Sequence, residues 1–148
     1  MSQASLEALR NLLAASDEFQ TIVGAANAIE AKERIAIYSA EPPMEAPCAT
    51  VFDIDNQRQN LSPDAYYYSG TMGLLLELPR PESTEYDTEY DLAKETWETI
   101  KEEIQTLSSV PGGLSIAEIR DADAEDAELT KELQRWFFDA EIDWPGGV

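Results

Sequence analysis

The sequence contains no histidine, a single cysteine and only ten basic residues among its 148. Each shortage excludes something. Without imidazole the chain lacks the one side chain whose ordinary pKa lies near neutrality, and with it the commonest general base and metal ligand. Cys48 has no partner within the chain, so an intrachain disulfide is impossible and a reducing compartment is expected. No run of about 18 apolar residues occurs, and the first residues lack the basic-then-apolar order of a signal peptide, so a cytosolic start is expected and no membrane partner. No G-x-S-x-G, P-loop or G-x-G-x-x-G is present. The expectation is therefore no enzyme, no cofactor and no metal.

What the chain has in excess is carboxylate. Thirty Asp and Glu against ten Lys and Arg give a formal charge of −20, and such a surface repels the phosphates that nucleic-acid-binding proteins attract with Lys and Arg. The acidity sits on a foldable chain, since 43% hydrophobic and 27% charged residues are ordinary for a globular protein. Residues 1–81 hold 11 acids and 5 bases, residues 82–148 hold 19 acids and 5 bases, so one side of the molecule is expected to be more negative than the other. The length fits one domain, 1–148.

Leu6, Leu9 and Leu13 recur at helical spacing, with Ser5 placed to cap the helix. Ser16 opens a second helix, Asp17 and Glu18 suit its positive end, Phe19, Ile22 and Val23 form its apolar edge, and Gly24 terminates it. Residues 25–33 add a further helical turn. Ile35 to Tyr38 then reads as a short strand, Cys48 to Ile54 as a strand inside a sheet, and Tyr66 to Leu78 as the long strand, closed by Pro79 and Pro81. Tyr90, Ala93, Trp97, Ile100, Ile104 and Leu107 form one apolar stripe on the longest helix. Leu114, Ile116 and Ile119 suggest another strand, and residues 121–134 either a loop or a short helix. The last strand alternates Trp136, Phe138, Ala140, Ile142 and Trp144 with Arg135, Phe137, Asp139, Glu141 and Asp143. Extended loops are expected near 39–47, 55–65, 79–88 and 121–130. The layout is α+β, with a mainly antiparallel mixed sheet flanked by helices.

Three constellations bear on chemistry. Asp53 and Asp55 form an Asp-x-Asp pair of the kind that binds Mg²⁺, but Gln57 stands where a phosphoryl-transfer site of the haloacid-dehalogenase type would want Thr or Val. The pair reads as the solvated end of a strand. Asp139, Glu141 and Asp143 line one strand face, which suits either a cation or the wet side of an edge strand guarded against aggregation. Tyr66, Tyr67 and Tyr68 point alternately to opposite faces, and Phe137 interrupts a polar face. Exposed aromatics of this kind serve a protein interface or cover the ends of the sheet.

Taken in order, these segments resemble the tail terminator, or tail-completion, proteins of long-tailed bacteriophages. The likeness runs over nearly the whole chain: the Leu6-to-Leu13 helix with its Phe19-to-Gly24 extension, the Ile35-to-Tyr38 strand and Pro-rich turn, and Ala49-Thr50-Val51-Phe52. It continues through Gly70-Thr71-Met72-Gly73-Leu74-Leu75-Leu76, the Tyr90-to-Leu107 helix and the closing Trp/Phe-rich strand. It rests on order more than on a signature. The resemblance implies a virion subunit, made in the host cytoplasm, that assembles as a ring, usually a hexamer. The ring caps the tail tube, ends its growth, and contacts the tube protein and the neck or head–tail connector proteins.

Under that resemblance a negative channel lets DNA pass without specific binding. Candidate channel acids are Asp121, Asp123, Glu125, Asp126, Asp139 and Glu141, and candidate contact residues are Tyr66, Tyr67, Phe137 and Arg34. Two alternatives share the composition: a neck or head–tail joining protein, and a monomeric acidic protein that mimics DNA on a basic partner.

Overall fold

The computed structural model describes residues 2–37, 45–62, 65–79, 86–108, 118–121 and 135–144, with backbone alone for 2–5, 55–62, 65–69, 86–88 and 144. Helix α1 (Ser2–Ala14) buries Leu6, Leu9 and Leu13 completely. It starts before Ser5, the expected cap, because Gln3 and Ala4 are good helix formers and carry the helix past it. Helix α2 (Asp17–Val23) is capped as expected: the Ser16 hydroxyl accepts the Phe19 N–H at 3.1 Å, and Gly24 closes the helix at φ 72°. Ser16 also donates to Glu103 at 2.8 Å, and the same carboxylate oxygen accepts the Glu18 N–H at 2.8 Å. A side chain from a distant helix thus completes the cap and fixes where α2 lies. Asn27 caps the short α3 (Ala28–Lys32) by accepting the Glu30 N–H.

Five strands, β1 (Ile35–Ile37), β2 (Cys48–Ser62), β3 (Ala65–Pro79), β4 (Glu118–Asp121) and β5 (Arg135–Trp144), form one sheet in the order β1-β2-β3-β5-β4. β1 pairs with β2 in parallel, and every other pairing is antiparallel. The α+β class and the mixed, mainly antiparallel sheet are as the sequence predicts. Two expected loops are corrected. Residues 55–62 continue β2, because Tyr66, Tyr67 and Tyr68 favour strand and offer ladder partners to Asn60, Gln59 and Arg58. Helix α4 (Tyr86–Ser108) begins inside the expected 79–88 loop. Residues 39–44 of the loop expected near 39–47 and 122–130 of the loop expected near 121–130 lie outside the described residues, as do Tyr38 and the 114–117 part of the strand around Ile119, while Asp121, expected in the second loop, ends β4 instead.

The register decides the layers. Leu74, Leu76 and Leu78 of β3 lie opposite Ala140, Phe138 and Trp136 of β5, and Met72 lies opposite Ile142. These residues share a face with Ala49 and Val51 and are buried with Leu6, Leu9, Leu13, Phe19, Trp97, Ile100 and Ile104. All described helices therefore pack on one side of the sheet. Trp97 anchors this layer: its ring stacks on Phe138 with centroids 5.9 Å apart, and its indole N–H donates to Asp121 at 2.9 Å. Replacing Trp97 by Ala should cost about 3–5 kcal/mol in urea unfolding. Trp97→Phe keeps an aromatic but removes the donor to Asp121, and should cost about 1 kcal/mol beyond the lost ring area.

Candidate functional site: the helix-free face and the hairpin arm

The opposite side of the sheet carries the other half of each alternation. Ala36, Cys48, Thr50 and Phe52 come from β1 and β2, Thr71, Gly73, Leu75 and Glu77 from β3, Arg135, Phe137, Asp139, Glu141 and Asp143 from β5, and Glu118 and Arg120 from β4. No described helix covers them. The register lays out cross-strand rows, Cys48–Glu77–Phe137, Thr50–Leu75–Asp139 and Phe52–Gly73–Glu141–Arg120. Phe52, Leu75 and Phe137 stay half-buried and form an apolar centre. The Phe52 ring lies over Gly73 so closely that a β-carbon there would come within 2.2 Å of it. Glycine at 73 therefore makes the bed for the aromatic ring.

Charge is organised around that centre. Arg120 donates to Asp143 through both terminal guanidinium nitrogens, to Glu141 at 3.1 Å and to Glu118 at 3.2 Å. Asp143 also accepts from the Thr71 hydroxyl at 2.9 Å. The Arg120 hydrogen bonds hold the Asp143 carboxyl below the usual carboxylate range, against the opposing effect of burial. Asp139 differs. Burial raises its carboxyl, the neighbouring Glu141 charge raises it further, and no basic side chain reaches it among the described residues. At the far end of the face Arg135 donates to Glu77 at 2.9 Å, and Glu77 accepts from the Cys48 thiol at 3.6 Å. Burial and the Glu77 carboxylate push that thiol up to about 11, so it is protonated and unreactive at neutral pH.

Of the candidate residues named from sequence, Phe137, Asp139 and Glu141 come together here. Asp121 does not. It faces the helices, where Lys101 donates to it at 2.7 Å beside the Trp97 bond, and these two bonds outweigh burial and lower its carboxyl. Arg34 serves the fold as well, donating to the Pro47 carbonyl at 2.9 Å and to the Glu45 carbonyl next to the cis Ala46–Pro47 peptide. Asp123, Glu125 and Asp126 lie outside the described residues. The strand of Asp139, Glu141 and Asp143 is not an edge strand, since β4 covers its outer side, and Arg120 from β4 occupies the cation position of that row. No group of three or more metal-ligating side chains occurs among the described residues. Arg120, Phe52 and Leu75 escaped sequence reading, because their roles depend on which strands are neighbours.

Beyond Gly70 the sheet narrows to two strands. β3 pairs with β5 from Gly70 onward, and β1 reaches only Ala49–Val51 of β2. Residues 57–62 and 65–69 therefore pair with each other alone among the described residues, as a hairpin arm. A bulge at Ile54, which is 46% exposed, marks its base. The bulge shifts the register so that Arg58 lies opposite Tyr68 and Asn60 opposite Tyr66, on the side of the ribbon continuous with the helix-covered face. Tyr66 and Tyr67, both candidate contact residues, fall on opposite sides of the arm.

No protein-family model matches the chain, and no curated protein matches it. No helix is long and apolar enough to cross a membrane among the described residues.

Two measurements check this geometry. Asp139 carries a raised carboxyl in the folded state, so its ionisation opposes folding above that pKa and has no effect once both states are protonated. At concentrations low enough to keep the chain monomeric, Asp139→Asn should raise the melting temperature near pH 7, with the gain fading as pH falls below the ordinary carboxylate range. Asp143→Asn should do the reverse, costing stability at neutral pH and nothing once pH drops below its lowered pKa. For the ring over glycine, Gly73→Ala should destabilise by about 1–3 kcal/mol. In a Phe52→Ala background the same change should cost clearly less, a coupling read from a double-mutant cycle.

Proposed function

We propose that the chain is a structural, self-associating subunit that forms a ring at the end of a phage tail tube, capping it and joining it to the head. The observation that carries this reading is the pairing of a one-sided sheet with a two-stranded arm. An isolated hairpin is marginal in water, and a half-apolar sheet face without helices is interface material. Each element lacks a cover within the described residues, and a second copy supplies both. The strand and helix order is the one that the resemblance to tail terminator proteins rests on. The acidic excess suits a passage for DNA, because carboxylates facing the lumen repel phosphate and keep the duplex from sticking. The role is mechanical, and the protonated, buried Cys48 fits it.

Light scattering on a sizing column, followed by negative-stain microscopy, tests the reading. A closed oligomer is expected, and labelled protein should sit at the head-proximal end of the tube. At −20 per subunit the long-range term between copies is repulsive, so raising salt from low to physiological strength should tighten assembly as the Debye length falls from about 30 Å to about 8 Å. A stable monomer that binds a basic nuclease would overturn the ring and favour DNA mimicry.

A further inference from the structure

The hairpin arm is chemically unlike the rest of the chain. Residues 56–63 contain one charge, Arg58, within a protein of net charge −20, and three tyrosines follow at 66–68. By register Arg58, Tyr66 and Tyr68 share one side of the ribbon. Tyr and Arg are the residues that concentrate binding energy at interfaces. Every Lys and Arg whose side chain is described is already held inside the chain. Arg10 and Lys32 lie against Glu7, Arg34 on backbone carbonyls, Lys94 and Lys101 by Glu98, Arg120 among three carboxylates and Arg135 on Glu77. The helix-free face has the complementary deficit. Its apolar centre of Phe52, Leu75 and Phe137 adjoins Asp139, a half-buried carboxylate with no basic neighbour among the described residues.

The dimensions agree. At about 3.3 Å per residue, the six residues 57–62 span about 20 Å, and the seven residues from Phe137 to Asp143 span about 23 Å. We propose that the arm of one copy lies across the helix-free face of the next, with its tyrosine side on Phe52, Leu75 and Phe137 and Arg58 paired with Asp139. This inference rests on the self-associating reading above and names its contact. The contact joins two different surfaces. The side of the arm continuous with the helix-covered face meets a helix-free face, so neighbouring copies keep the same orientation and repeat head to tail, which closes into a ring when the rotation allows.

Charge reversal tests it by sedimentation of the full chain at physiological salt. Arg58→Glu and Asp139→Arg should each weaken self-association by at least about tenfold in Kd, the scale of one charge-assisted contact. The double reversal should recover most of the loss. Because a new arginine at position 139 can disturb folding, a second measurement uses cysteines in a Cys48→Ala background. Arg58→Cys protein mixed with Asp139→Cys protein should give a mixed disulfide under mild oxidation, faster than Arg58→Cys mixed with the exposed control Ala26→Cys. If the chain associates but ignores both reversals and cross-links no faster than the control, the arm contact is wrong and the self-associating reading stands. If the wild-type chain stays monomeric up to about 1 mM, both fall.

Discussion

The structure depends on the register between β3 and β5. Because side chains alternate along a strand, placing Leu74, Leu76 and Leu78 opposite Ala140, Phe138 and Trp136, with Met72 opposite Ile142, sends eight apolar residues to one side and every acid of β5 to the other. A slip of one residue would put the apolar set of one strand on the side of the other strand's polar set. The core and the charged face therefore have one cause. Trp97 and Ile100 find a flat apolar floor only because Asp139, Glu141 and Asp143 point away from it, and the carboxylates share a face only because the floor is uniform.

How much of this was legible follows from periodicity. The stripe on α4 and the alternation in β3 and β5 run long enough to fix element type and buried face from sequence, and Ser16 and Gly24 announce α2 through cap chemistry that involves neighbours in the chain. Residues 56–62 were not legible as strand. Asn, Gln, Arg and Ser favour loops on their own, and it is the tyrosines across the hairpin that make them a ladder. Nor was the order of strands. β4 is four residues long, too short for a pattern, yet its position beside β5 turns an apparent edge strand into an inner one and delivers Arg120 to the acidic row. The candidate site divides along the same line. Phe137 stood out as an aromatic on a polar face, whereas Phe52 and Leu75 sit in strands apolar on both faces and look like core until the helices are seen to cover one side alone.

The distribution of cations sharpens the meaning of the charge. A chain with three acids for each base has few cations to place, and the described ones are held by backbone carbonyls and carboxylates of the same chain. Lys101 and Trp97 together hold Asp121, and Arg120 gathers three carboxylates that would otherwise repel one another. These pairs are partly exposed and each stabilises only modestly. Their larger effect is geometric, since they tie β4 to β5 and to α4. Among the described residues the other acids have no basic partner, so contacts between like copies are favoured where charge is scarce.

The arm proposed as the contact is such a place, and the bulge at Ile54 determines what it presents. Without the extra residue, pairing would continue from Asp53 opposite Met72 and bring Arg58 opposite Tyr67, on the helix-free side. With it, Arg58 joins Tyr66 and Tyr68 on the other side, and the ribbon also gains twist where it leaves the sheet. One inserted residue thus separates the two complementary surfaces of the molecule onto opposite sides. A subunit with both on the same side would pair with its twin about a twofold axis and stop at a dimer. With the surfaces opposed, the proposed contact would leave a free arm at one end and a free face at the other, which is the heterologous geometry that a closed ring requires.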